Sequence, residues 1–86
     1  ERRKFARVVP DFVIELRSPT DVLEDLQTKM REYIANGARL GWLIDPEAKT
    51  VHIYRADGSI EILNNPEKLS GEDVLEGFEL NVREIW

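Results

Sequence analysis

Apolar residues along the chain recur with two different periods, and the changes between them lay out the fold. From Val8 to Leu16 the sequence VVPDFVIEL is rich in β-formers and alternates. Phe12 and Ile14 share one face, while Asp11, Val13, Glu15 and Arg17 share the other. Ser18-Pro19-Thr20-Asp21 stops this strand, and Asp21 with Glu24 three residues on has the form of a capping box, so a helix is expected from Asp21 onward. In DVLEDLQTKMREYIANG, Val22, Leu26, Met30, Tyr33 and Ile34 make one stripe at helical spacing, and Asn36-Gly37 supplies a left-handed stop. Gly41 precedes a second strand, Trp42 to Asp45, which Pro46 closes. Strand, helix and strand form a βαβ unit, expected to be parallel and right-handed.

Beyond Pro46 the period is two. Val51–Arg55 and Ser59–Leu63 alternate, and Asp57-Gly58 between them is a strong hairpin signal. Strands two, three and four therefore read as an antiparallel meander. The tail LSGEDVLEGFELNVREIW carries Leu69, Val74, Leu75, Phe78, Leu80 and Val82, and is expected to wrap the sheet and end in a short strand. The fold class is α/β: a mixed sheet in which a βαβ unit is followed by an antiparallel meander.

Composition narrows the function classes. With 86 residues the chain makes one small domain, whose modest core leaves it marginal as a stand-alone fold. The absence of cysteine excludes disulfides and thiolate metal sites and agrees with a reducing, cytoplasmic setting. No apolar run approaches a bilayer span, so no membrane partner is expected, and ERRKFARVV lacks the apolar core of a secretion signal. A net charge of −5 argues against binding nucleic acid through a broad basic stripe. Arg2, Arg3, Lys4 and Arg7 nevertheless crowd the first positions, either as a solvated arm or as an edge that contacts phosphates.

The chemistry concentrates in PDFVIELRSPTD, residues 10 to 21. A carboxylate within an apolar strand loses hydration, which is costly unless a cation or hydrogen-bond donors replace the water. Glu15 has two candidate partners. One is Arg17, two residues along on the same face. The other is Lys29, at the edge of the helical stripe beside Leu26 and Tyr33, whose ammonium would reach the first strand if the stripe packs on the sheet. A strand carboxylate and a helix lysine that converge suit metal-assisted phosphodiester hydrolysis, in which a hard cation takes oxygen ligands and a lysine steadies developing charge. Asp11 has the parity of Glu15, but four strand steps separate them by roughly 13 Å, so both can ligate one ion only if the strand is bulged or bent. His52 is the sole histidine and reads as a surface or half-buried side chain. Asp45 reads as a strand end and turn cap. Trp42, Tyr54 and Trp86 read as core or interface anchors, and Glu72, Asp73, Glu76 and Glu79 as a solvated acidic tail.

PDFVIELRSPTD, followed by Lys29 and Tyr33 on a helix and then GWLIDP, resembles the bacterial "putative restriction endonuclease" family, a branch of the PD-(D/E)xK nuclease superfamily. The resemblance also takes in Glu15, Ser18 and Pro19, the Val51–Arg55 strand and the GEDVLEGF tail. It implies a restriction-endonuclease-like mixed sheet flanked by helices, with DNA as substrate and Mg²⁺ or Mn²⁺ at a carboxylate cluster. Glu15 matches the acidic residue of the (D/E)xK element. Arg17 stands at the lysine position, where it stays protonated and serves as an auxiliary phosphate contact rather than a base. Lys29 looks like a catalytic lysine relocated to the helix, with Tyr33 as its buttress.

The resemblance further implies a Pro-Asp strand before the one that carries the glutamate, and Asp11 lies too close to Glu15 to be that aspartate. Residues 1–86 are accordingly expected to be a partial domain, the carboxy-terminal half to two-thirds of a family member, which alone would bind metal poorly and cut nothing. The expected metal ligands in the chain are Glu15 and, as a supplementary one, Asp11. The leading expectation is a Mg²⁺-dependent DNA endonuclease-like domain. The alternative is a non-catalytic nuclease-fold module for protein interaction or dimerisation, and a third reading is a homodimer built through Trp42, Tyr54 and Trp86.

Overall fold

The computed structural model describes residues Pro10–Trp86. The expectations for Arg2, Arg3, Lys4 and Arg7, and for a strand beginning at Val8, lie outside the described residues. Strand β1, Phe12–Leu16, is followed by helix α1, Leu23–Ala35, and strands β2, Leu40–Asp45, β3, Thr50–Arg55, and β4, Ile60–Asn64. A short pair, β5, Lys68–Ser70, and β6, Glu79–Asn81, leads into a 3-10 turn at Val82–Glu84. Among the described residues, the main sheet has the order β1-β2-β3-β4. β1 runs parallel to β2, from Phe12 opposite Leu40 to Leu16 opposite Ile44. β2, β3 and β4 form the antiparallel meander. At its β3–β4 turn, the Gly58 amide bonds back to the Arg55 carbonyl, and Gly58 takes a left-handed φ of 89°.

The alternation divides the sheet into two faces. On one, Leu40, Trp42, Ile44, Val51 and Ile53 pack with Leu69 and Val82 of the tail. Phe12 meets Trp42 edge-on at 4.8 Å between ring centres, and Phe78 stacks on Trp42 at 6.2 Å. The tail thus covers this face as expected, but it ends in a 3-10 turn rather than a strand. On the other face, Leu26 and Met30 of α1 lie on Val13, Leu43 and Tyr54. α1 packs against β1, β2 and β3 but leaves Ile60 and Ile62 of β4 open.

Three further expectations need correction. The capping box does not form: Asp21 bonds backward, accepting from the Ser18 amide at 2.8 Å and hydroxyl at 2.9 Å, and α1 starts after Val22 without a side-chain cap. Val22 is accordingly exposed rather than part of the packed stripe. Trp42 and Tyr54 are buried in the two cores on opposite faces of one chain, so they cannot anchor a homodimer. Trp86 donates its indole N–H to Asn65 at 3.0 Å.

Candidate functional site

The site grows from a close approach between helix and sheet. Gly41 has no Cβ, and a Cβ there would stand 2.6 Å from the Met30 terminal methyl and 3.0 Å from a Val13 methyl. Met30 therefore seats deep on β2, which brings the neighbouring Lys29 over the end of β1. Glu15 lies two steps beyond Val13 on this same face. Lys29 Nζ sits 2.9 Å from Glu15 Oε2, with side chains 50% and 21% exposed respectively. Of the two candidate partners, Glu15 has taken the helix lysine and not Arg17.

The hydrogen bond to Glu15 is the main cause that raises the Lys29 pKa above the usual lysine value, with Tyr33 and Asp21 adding to it. Lys29 is therefore a firm ammonium at neutral pH. It can hold negative charge or orient water, but it cannot accept a proton. A carboxylate has about four lone-pair positions, so the contact through Oε2 leaves Glu15 able to bind a further partner.

Arg17 points to a different acid. Its Nη1 lies 2.9 Å from Asp45 Oδ2, and its Nε donates to the Asp21 carbonyl at 3.3 Å. Asp45 is the turn cap that the sequence suggests, since Oδ1 accepts from the amides of Glu47 at 3.1 Å and Ala48 at 3.3 Å. It is also deeply buried, with a side chain 2% exposed, which the sequence does not suggest. An open cleft of about 410 Å³ lies at this end of the parallel pair, lined by Arg17, Ser18, Pro19, Asp45, Pro46 and Glu47. Glu15 and Lys29 do not line it.

Asp11 is exposed just before β1, and its carbonyl accepts from the amides of Arg39 and Leu40. The register of β1 on β2 is unbroken from Phe12 to Leu16. Without a bulge, the separation of Asp11 and Glu15 stays at roughly 13 Å, too far for two ligands of one ion. Among the described residues no group of three or more His, Asp or Glu side chains is placed to hold a metal. Glu15 is the right kind of donor for a hard cation, and a single carboxylate fills only one or two of the six positions around Mg²⁺.

Two residues behave differently from their sequence reading. Glu72 leaves the acidic tail to bond Arg55 through both carboxylate oxygens, and Glu61 joins on the other side at 3.0 Å. His52 is only 9% exposed, since it shares with Tyr54 the face of the sheet that α1 covers and stands opposite Leu43. Burial lowers the His52 pKa below its usual 6.5, and the nearby Asp45 charge opposes that only in part. A lowered folded-state pKa means that the unfolded chain binds the proton more readily. Stability is thus complete above about pH 6.5 and falls as the pH drops below it. Urea unfolding between pH 7.5 and 5 is expected to show this decline, and His52→Gln to remove it.

The family comparison agrees with this architecture. The model of the Uma2 family, described as "Putative restriction endonuclease", matches residues 1–83. Among solved structures, the chain is similar to a protein from Anabaena variabilis ATCC 29413 described as a "putative nuclease belonging to DUF820", with a TM-score of 0.79 and 25% identity. The match covers 92% of this chain and 45% of that one, so the chain spans less than half the length of this relative. No curated protein matches. Among the described residues no helix is long and apolar enough to cross a membrane. The restriction-endonuclease-like fold expected from the sequence is the one observed, and the chain belongs to the Uma2 family of restriction-endonuclease-like proteins.

Proposed function

We propose that this protein serves Mg²⁺-dependent hydrolysis of phosphodiester bonds in DNA. The observation that carries the reading is the 2.9 Å approach of a strand carboxylate, Glu15, to a helix ammonium, Lys29, at the end of a parallel strand pair. Glu15 would hold the ion through oxygen. A bound Mg²⁺ or Mn²⁺ would supply Lewis-acid polarisation of the phosphate and a water of lowered pKa. Lys29, fixed as an ammonium, would steady the charge that develops on the phosphate oxygens. Tyr33, four residues on in α1 and half-buried, would support the Lys29 stem.

The ion needs more oxygen ligands than Glu15 provides. Water and the oxygens of the substrate phosphate would fill its remaining positions. Asp11 has no part in that set.

Cleavage of plasmid DNA by the full-length protein in Mg²⁺ or Mn²⁺, compared with the same protein in chelator, tests the proposal. Glu15→Ala should lower the rate on the order of a hundredfold or more, the scale of a lost metal ligand. Titration calorimetry should show Mg²⁺ heat that vanishes in the same variant. Equal cleavage by both proteins would remove Glu15 from the chemistry. If neither cleavage nor Glu15-dependent heat is seen, the reading that stands is a non-catalytic module that keeps the nuclease scaffold for protein contacts.

A further inference from the structure

We propose that Arg17 and Asp45 form a positioning pair that sets where Glu15 and Lys29 meet, and that Arg17 does not bind the substrate phosphate. This inference rests on the nuclease reading for its kinetic consequence but on the fold alone for its geometry. Three segments converge on Arg17. The Arg17 amide bonds the Ile44 carbonyl at 2.9 Å, extending the β1–β2 ladder one step past Leu16. Nη1 reaches Asp45 at the end of β2, and Nε holds the carbonyl of Asp21, just before α1. The turn between them is closed by Asp21 on Ser18.

Asp45 makes a firm anchor for this arrangement. One carboxylate oxygen is held by the Glu47 and Ala48 amides and the other by Arg17, in a side chain that is almost wholly buried. Arg17 thus ties the strand that bears Glu15, the start of the helix that bears Lys29, and the neighbouring strand to a single fixed point. Met30 on Gly41 supports the helix at its middle, and Arg17 supports it at its entry.

The same contacts speak against a phosphate role. Asp45 neutralises Arg17, and the Glu47 carboxylate stands 4.0 Å from the same nitrogen. A phosphate that entered the cleft would meet two carboxylates against one cation, and the Arg17 side chain is only 22% exposed.

Asp45→Asn separates the two roles. Asparagine keeps an oxygen for the Glu47 and Ala48 amides, so the turn survives while the ion pair to Arg17 is lost. A positioning pair predicts that kcat falls about tenfold while KM for DNA stays within twofold. A phosphate-binding Arg17, released from its partner, would instead lower KM and leave kcat intact, and that result would overturn the proposal. Arg17→Lys provides the second variant. Lysine retains a charge for Asp45 but cannot also hold the Asp21 carbonyl in the guanidinium's fixed geometry. Its kcat should also fall, whereas wild-type kcat in this variant would overturn the proposal.

A crystal structure of either variant provides a readout without catalysis. The Lys29–Glu15 separation should open from 2.9 Å to beyond hydrogen-bond reach, and an unchanged contact would overturn the proposal. Should the full-length wild-type protein cut no DNA, the nuclease reading fails while the crystal structures still decide the positioning role.

Discussion

Trp42→Ala is expected to leave the protein only marginally folded at room temperature. Trp42 is fully buried on the tail side of the sheet, between Phe12 and Phe78, with Ile44 and Val82 in the same cluster. Truncating a buried Trp costs about 3–5 kcal/mol, since the surroundings collapse only partly into the space. Small domains have total stabilities near the lower end of about 5–15 kcal/mol, so this loss takes most of what is available. Circular dichroism with urea titration reads it directly. Trp42→Phe should cost far less than the alanine change. It loses area, but it also removes an indole N–H that is buried with no hydrogen-bond partner among the described residues. A Phe variant as unstable as the Ala variant would contradict this account of the core.

The second large effect is expected from Asp45→Ala, at about 3 kcal/mol of lost stability, the scale for removing one partner of a buried ion pair. Alanine removes three interactions together: the bond to Arg17 and the two amide bonds that hold the turn after β2. Asp45→Asn should lose clearly less, because it preserves an acceptor for the amides. Chemical denaturation of the two variants side by side gives the comparison. If Asn proves as costly as Ala, the ion pair outweighs the turn cap. If both are mild, the burial of Asp45 contributes little to the fold.

What could be read from the letters follows from how local each signal is. The meander was legible because alternation through Val51–Arg55 and the Asp57-Gly58 turn are properties of a few consecutive residues. The meeting of Glu15 with Lys29 was legible for a related reason. A βαβ unit fixes which helix face rests on the sheet, and Lys29 sits at the margin of that face. The Arg17–Asp45 bond was not legible. Its partners are 28 positions apart, and Asp45 before Pro46 carries the ordinary signature of a strand end. Asp21 misled because its carboxylate can cap forward into a helix or close the turn behind it, and Ser18 offered the backward choice two donors. His52 misled because alternation tells which residues share a face but not whether a central strand is covered on both. Glu72 lay within an acidic run, and nothing local revealed that Arg55, 17 residues away, would claim it.

The convergence of Glu15 and Lys29 from consecutive elements has a consequence for how this architecture can change. The loop that must close to bring them together is short and therefore costs little chain entropy. β2 completes the seat by accepting Met30 at Gly41. The span from Phe12 to Asp45 is thus a cassette that contains both charges and the seat that spaces them, while Tyr54 and the tail complete the cores on its two faces. Lengthening the hairpin at Ala56–Ser59, or exchanging the tail for another cover, would reshape the rest of the molecule while leaving the spacing of those two charges to the cassette itself.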